Sequence, residues 1–514
     1  MRQRKKGEAK LYKNKSIIRF EGKNFLGEVG IDGRIFKALT YAHISVGVIS
    51  QQAIENGVSV LVNESDSEKA VDCLLTEFSQ ERKSGKVAQI YSVNNVSVIS
   101  FQSFDLSKII KELERNNIFP LLFNQVGAEN RINLVVSSSQ DEKTKNIVES
   151  EIYGTPKTVH LAVIGHGNVG GTLINQVLES REEIKRRKKL DLKIIAVANS
   201  QKLLLNKEGV QDEWSDQIQK SQDATSMESL ILYAKDNQLE NLIAVDNTGS
   251  KEFIKNYPLL VENGFDLVSS NKIFNTMPIT EYRSLRSLLT KNNKKYLYET
   301  NVGAGLPLID TIKLLHLSGE NITRIKGVFS GSLSYIFNRY SSSDVSFSSV
   351  LEEAMEQGLT EPDPREDLSG VDVARKLLIL ARELDLENEF SDIKIQSLLP
   401  SSLQKGTKET FIANLKSLDE FYLEKKKSLA NGNVLRYVGE LKGDLQQDKG
   451  ELDVRLKEVP AASPLGQLKG SDSLFEIYTE SYGDNPIVIM GAGAGAKVTA
   501  RGVFGDILRI SENK

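Results

Sequence analysis

VHLAVIGHGNVGGTLINQVL, residues 159–178, decides how the middle of this chain folds. It opens as a continuous apolar run, the pattern of a strand covered on both faces. Its second half spaces apolar residues at helical intervals. Between the two stands Gly165-x-Gly167-x-x-Gly170. In a strand–loop–helix setting the first glycine permits a tight turn. The second lets the backbone approach a pyrophosphate, and the third packs helix on strand. Asn168 and Val169 complete the loop at the helix start, where unpaired N–H groups favour an anion. The stretch predicts a dinucleotide-binding unit.

Working outward, strand-like and helix-like segments alternate from Gly154 to about Asn301, as in a parallel, doubly wound sheet. DLKIIAVANS (191–200), NLIAVDNT (241–248) and DLVSSNK (266–272) read as its further strands, and KRRKK (185–189) as a helix end. The second strand ends in Asn199-Ser200-Gln201-Lys202, without the acid that grips an NAD ribose 2′-OH. Asn199, Ser200 and Lys202 lean toward NADP(H); a loop that merely faces solvent is the alternative, and NAD(H) stays possible. Near the end, DNPIVIMGAGAGAKVTARGVFGDILRI reads as a buried strand, a glycine-rich turn and a helix returning to this domain. The turn, 491–500, reads as a packing or nicotinamide-side element.

Before residue 154 the chain reads as two β-α-β-β-α units. SIIRF, RIFKALTYAH, ISVGVIS, VSVLVN and SEKAVDCLLTEFS form the first. VSVISF, SKIIKELERNN, IFPLLF, INLVVS and DEKTKNIVESEI form the second. ISQQAIENGVSVLV (49–62) and FNQVGAENRINLVV (123–136) share Q-x-x-x-E-N before a β-rich strand, the mark of an internal duplication. The expected divisions are 1–153, a nucleotide domain at 154–300, a mixed α+β region at 301–455, and a return segment at 456–514. The fold class is α/β together with α+β.

A second dense stretch is TEPDPREDLSGVDVARK, 360–376. Its prolines keep Glu361 and Asp363 out of a helix. The tail has helical periodicity, so Asp372 and Lys376, four apart, share one face. A carboxylate beside a lysine on a rigid element can hold an amine and move a proton. An N-terminal cap with an exposed ion pair fits the same spacing.

Bulk properties exclude several classes. A length of 514 residues implies two to four domains. A net charge of −3 gives nothing global to attract nucleic acid or an anionic membrane. The basic opening, MRQRKKGEAK, reads as a solvated start. One cysteine, Cys73, forbids an internal disulfide and suits a reducing cytoplasm; four scattered histidines lack metal-ligand spacing. No apolar run has membrane-spanning length.

Taken together, GHGNVGG, VDNTGS, SSNK, YETNVGAGLP, FSGSLSYIFN, TEPDPREDLSGVDVARK and VTARGVFGDIL resemble homoserine dehydrogenase from about Val159 to Ile510. The first 150 residues resemble the tandem ACT (ferredoxin-like) regulatory domains of bifunctional aspartokinase–homoserine dehydrogenase. No counterpart of the kinase domain precedes them, so the chain reads as the regulatory and dehydrogenase portions alone. The resemblance implies reduction of L-aspartate 4-semialdehyde to L-homoserine in threonine and methionine biosynthesis. It implies Lys376 as proton relay and Lys272 as a second catalytic lysine. Glu361 and Asp372 match holders of the substrate amino group, and Asp367 another substrate contact. Ser332 stands where the family has threonine, and Thr248 matches a cofactor contact. Glu299, Val302, Ala304 and Leu306 match a monovalent-cation site, often sodium, built mainly from backbone carbonyls. Gln51 and Gln125 match effector glutamines, with threonine the usual effector, and the family implies a homo-oligomer. Leu359 replaces a usual tyrosine, NQVGAEN departs from a serine-rich loop, and LKGSDSLFEIYTE lacks a usual asparagine. The alternatives are a non-catalytic regulatory partner of a separate aspartokinase chain, and an unrelated dehydrogenase with an attached sensor.

Overall fold

Three six-stranded sheets carry the chain in a computed structural model. It describes residues 8–22, 30–52, 57–103, 105–127 and 130–512. The basic opening through Gly7, and Glu55, Asn56 and Glu129 of the duplicated motif, lie outside the described residues.

The first sheet joins both N-terminal units in one surface. The first strand of each, Lys10–Gly22 and Val87–Gln102, pair antiparallel down its centre, with Ile17 opposite Val93. Both run well beyond the apolar cores SIIRF and VSVISF, because the extension of each pairs with the other. Alternation then divides the side chains. Ile18 and Phe20 face helices Ile31–Tyr41 and Ser67–Glu77, whereas Ile17 joins Leu61, Val96, Val98 and Val135 on the opposite face. Two strand expectations shift. ISVGVIS forms a strand only at Ile49–Gln52, and IFPLLF only from Leu122, after Pro120, which has no N–H for a ladder.

The second sheet runs Tyr296–Leu297, Asp266–Ser269, Leu242–Asp246, Lys157–Ile164, Leu190–Ala198 and Leu203–Leu205. All but the last strand are parallel. The order reverses between Lys157–Ile164 and Leu242–Asp246, so a crevice opens at their C-terminal ends. Helix Asn168–Lys188 leaves the glycine loop, and the left-handed Lys189 ends it within the basic run.

The third sheet orders Lys394–Ile395, Glu451–Pro460, Asn433–Lys442, Ile322–Val328, Ser473–Thr479 and Ile487–Gly491. This corrects the return segment 456–514. Its strands belong to the substrate domain, and only helix Ala496–Ser511 crosses back, packing Val503, Phe504 and Ile507 against Leu173, Ile174 and Val177. Ile487–Gly491 is an edge strand and not a buried one, and Val488 and Met490 are exposed.

The second regulatory unit docks on the N-terminal ends of three strands of the nucleotide sheet. Glu112 meets Lys157 at 3.0 Å, Asn116 exchanges hydrogen bonds with Asn241, and Arg115 reaches Asp266 at 3.2 Å. The C-terminal ends of the same strands carry the glycine loop, Asn247 and the Lys272 turn.

Candidate active site

The glycine loop has the shape its spacing predicts. Gly165 has φ +83°, and an added Cβ would stand 2.9 Å from the Asn247 backbone. A Cβ on Gly170 would stand 1.9 Å from the Gly165 carbonyl oxygen. Around Gly167 there is open space within 4 Å. Two glycines are therefore consumed by packing and the middle one faces room for a phosphate. Beside the loop the Asn247 side-chain nitrogen, Nδ2, is buried with no partner among the described residues. An orphaned donor packed against this loop is one that a bound dinucleotide can satisfy. Asn168 and Val169 form the first turn of the helix, with Gly167 as its N-cap.

At the second strand's end, the Asn199 side chain accepts from the Gln201 and Lys202 amides, each at 2.8 Å, and contacts His166 at 3.1 Å. Ser200 is exposed. The Lys202 ammonium donates to the Gln219 carbonyl, so its charge is tethered to a helix end and is not free. Thr248 packs its methyl against Gly165, and its amide donates to Asp246 at 2.8 Å.

Across the crevice lies the acidic and basic stretch. Asp363 caps the short helix Pro364–Leu368, Gly370 turns at φ +77°, and helix Val371–Glu383 follows. Lys376 Nζ pairs with Asp372 at 2.8 Å and donates to the Phe329 carbonyl at 2.8 Å. The Lys376 side chain is only 12% exposed, so this is not a surface ion pair. Asp367 accepts from the Ser332 hydroxyl at 2.5 Å and from the Glu361 amide at 2.8 Å. Both its oxygens are engaged, and it ties the TEPDP turn to the start of helix Gly331–Ser342. Ser330 caps that helix by accepting from the Leu333 amide.

Lys272 reaches the same place from the nucleotide domain. Burial pushes its amine below the usual lysine range; Asp372 and Glu361 oppose the shift, and Lys376 and Arg375 add to it. Burial works against ionisation of Asp372, but its carboxyl stays half exposed, and Lys376 and Lys272 hold it well below the usual range. Burial, Asp367, Glu366 and Asp372 push Glu361 up. The tertiary fold therefore brings Lys272, Glu361, Asp367, Asp372, Lys376 and Ser332 into one electrostatic cluster. Opposite charges from two domains neutralise one another there.

The NVGAGLP loop turns through two left-handed residues, Gly303 (φ +81°) and Ala304 (φ +53°). The Glu299 carbonyl accepts from the Val302 amide at 3.4 Å and the Leu306 carbonyl from Leu308 at 2.9 Å. The Glu299 carboxylate instead caps helix Leu308–Leu317 through the Ile309 and Asp310 amides at 2.8 and 3.0 Å. Among the described residues, no group of three His, Cys, Asp or Glu side chains is placed to hold a metal. Within the glycine-rich turn at 491–500, Gly493 is closely packed. A Cβ on Gly493 would stand 1.9 Å from Ser473 Oγ.

Gln51 and Gln125 occupy equivalent places on the two edge strands of the first sheet, opposite Val58 and Ile132. Gln51 is exposed, and Gln125 donates to Asn130 at 3.1 Å. Sequence reasoning missed Asn247 and Asn271. Asn271 is buried, donates to Asp246 at 3.0 Å and accepts from the Ile273 amide at 3.0 Å, which fixes the turn that presents Lys272. Its place in SSNK was the available signal.

A parallel sheet with this loop, facing lysines and carboxylates, defines an NAD(P)-dependent oxidoreductase. The homoserine dehydrogenase profile matches residues 307–508, its NAD-binding domain profile 165–299, and an ACT domain profile 18–78. The chain belongs to the homoserine dehydrogenase family. It is 34% identical to the homoserine dehydrogenase of Schizosaccharomyces pombe over 362 residues, covering 68% of this chain and 95% of that one. It is 37% identical over 486 residues to the bifunctional aspartokinase/homoserine dehydrogenase of Buchnera aphidicola, covering 93% of this chain and 59% of the relative. The chain thus spans little more than half the length of that bifunctional relative. The crystal structure of a Candida auris protein of unknown function superposes with a TM-score of 0.63 at 33% identity, covering 69% of this chain and 99% of that one. Among the described residues, no helix is long and apolar enough to cross a membrane.

Proposed function

We propose that the chain catalyses NADPH-linked reduction of L-aspartate 4-semialdehyde to L-homoserine, in the cytoplasm. The observation that carries this reading is the convergence of Lys272, Asp372, Glu361 and Lys376 across the crevice from the open Gly167. Gly165, Gly167, Gly170, Asn247 and Thr248 would hold the dinucleotide, with Asn199 and Ser200 at its ribose end. The bound nicotinamide supplies the hydride.

The chain's own groups do the rest. Asp372, kept ionised by its two lysines, and Glu361 attract the substrate ammonium. Two N–H groups of Lys376 are committed to Asp372 and Phe329, which leaves one for the substrate oxygen. That amine polarises the aldehyde and gives a proton to the oxygen as negative charge develops. Lys272 adds positive charge to the same side. Asp367 and Ser332 position the TEPDP turn. By reversibility, oxidation of homoserine needs Lys376 neutral and speeds up as pH rises.

Carbonyls of Glu299, Val302, Ala304 and Leu306 are proposed to hold a monovalent cation such as sodium; the left-handed Ala304 supports this, since such a turn can aim successive carbonyls to one side. An amino acid, threonine first, is proposed to bind near Gln51 and Gln125. The docking of the second unit on three strand ends supports a route from there to the active site. Exposed Ile49, Phe123 and Val126 on the first sheet's edges, and Val488 and Met490 on the third's, support a homo-oligomer. A separate aspartokinase chain is a further proposed partner.

The test is NADPH oxidation with L-aspartate 4-semialdehyde, with and without threonine, for wild type and Lys376→Ala. Turnover that collapses in the variant supports the reading. An inactive wild-type chain that still binds NADPH counts against it.

A further inference from the structure

Away from the glycine loop, a second cavity of about 470 Å³ opens between helix Ile279–Lys291 of the nucleotide domain and helices Leu308–Leu317 and Val371–Glu383 of the substrate domain. Its wall carries four basic side chains, Arg283, Arg286, Lys313 and Arg382, against two carboxylates, Glu383 and Asp385. Arg382 is 2% exposed. It uses Nη2 for Glu389, at 3.2 Å, and for the Met277 carbonyl, at 3.3 Å. Its Nε and Nη1 have no hydrogen-bond partner among the described residues, and neither has Nε of Arg286. The Tyr282 ring lies 4.8 Å from the Arg286 guanidinium carbon and 5.2 Å from that of Arg382.

The acids nearby are already engaged. Glu383 accepts from the Tyr298 hydroxyl and pairs with Lys313 at 3.3 Å. Glu387 takes Arg283 at 2.7 Å, and Asp385 takes His316 at 3.2 Å. Arg286 donates to the Tyr298 hydroxyl and forms no ion pair with any of them.

We propose that this cavity binds a small oxyanion, a carboxylate or phosphate group, between Arg286 and Arg382. A planar guanidinium offers paired N–H donors that match such a group, and tyrosine rings hold its flat faces in place. The location gives binding a consequence. Arg382 rides on the helix that carries Asp372 and Lys376, and Arg286 on the helix that follows the Lys272 turn. An anion joining the two arginines ties together the two domains that supply the two lysines, and so favours one relative placement of them.

The test uses the full chain, saturated with NADP+ so that the glycine-loop phosphate site is filled. Orthophosphate and succinate are titrated calorimetrically in chloride buffer. At least one is expected to bind saturably, and Arg286→Gln and Lys313→Met are each expected to weaken it, the former roughly tenfold or more. Binding by orthophosphate alone assigns a phosphate-bearing ligand, and binding by succinate alone a carboxylate. Should Arg286→Gln fail to fold, Arg286→Lys keeps the charge, loses the fork, and is expected to weaken binding likewise. No saturable heat from either anion up to about 20 mM, or binding untouched by the Arg286 and Lys313 variants, overturns the proposal.

Discussion

Gly167→Ala and Gly170→Ala separate nucleotide binding from folding at a single loop. At Gly167 φ is −67°, outside the left-handed region that favours glycine, and nothing lies within 4 Å of the added methyl. Its effect on the free chain should be within about 1 kcal/mol, and stabilising where the unfolded chain loses freedom. The same methyl occupies the approach of the pyrophosphate. If it costs about 1.4–3 kcal/mol of binding, NADPH affinity falls roughly 10- to 150-fold. At Gly170 the methyl would meet the Gly165 carbonyl at 1.9 Å, about 1.5 Å inside an ordinary contact, and that partner is backbone and not a movable side-chain tip. The helix must shift from the strand, at a cost on the order of 1–3 kcal/mol. A nucleotide domain of this size then loses several degrees of thermal midpoint, at about 2–4 °C per kcal/mol. Thermal unfolding without nucleotide, paired with NADPH titration, reads both. The reasoning is refuted if Gly167→Ala binds NADPH as wild type does, or if Gly170→Ala melts with wild type.

Lys376→Ala should lower kcat by roughly 100- to 10,000-fold, the range of a lost general acid, while NADPH still binds; an unaffected kcat would remove Lys376 from the chemistry. Lys272→Met should raise the melting midpoint at pH 7 while turnover falls. Burial makes the folded chain bind this proton more weakly than the unfolded chain, so the penalty is full below the folded-state pKa. It fades as pH rises toward 10.5, so the difference from wild type should narrow there; a variant less stable at pH 7 would contradict the sign. Replacing sodium and potassium with tetramethylammonium should depress activity if the NVGAGLP carbonyls hold an ion, and identical rates in both buffers would argue that the loop is only a turn. Gln125→Ala should blunt any threonine response and leave uninhibited turnover near wild type, and an unchanged response curve would move the effector elsewhere.

Local signals carried much of this protein because each depends on neighbours in sequence. The apolar run, three glycines and helical periodicity of 159–178 specify strand, turn and helix without help from distant residues. The spacing of Asp372 and Lys376 put them on one helix face, and the duplicated Q-x-x-x-E-N motif announced a paired architecture. Pairing partners were not legible. SIIRF marks an apolar core but says nothing of the seam that extends its strand to Lys10–Gly22, because the hydrogen bonds come from Val87–Gln102, dozens of residues away. The end of the chain shows the same limit. An apolar strand before a glycine turn suited either sheet, and packing against Ser473–Thr479 decided where Ile487–Gly491 lies.

The sequence by itself determined which chemical groups are present and the local geometry of the glycine loop and the lysine helix. Only the tertiary structure decided their charge states and company. Lys272 and Lys376 lie 104 residues apart by their own numbers, and it is burial and the shared Asp372 that make one electrostatic unit of them. Likewise Lys202, a free cation by sequence, is spent on the Gln219 carbonyl. Charge and periodicity are properties of a string. Desolvation and pairing are properties of the space into which it folds.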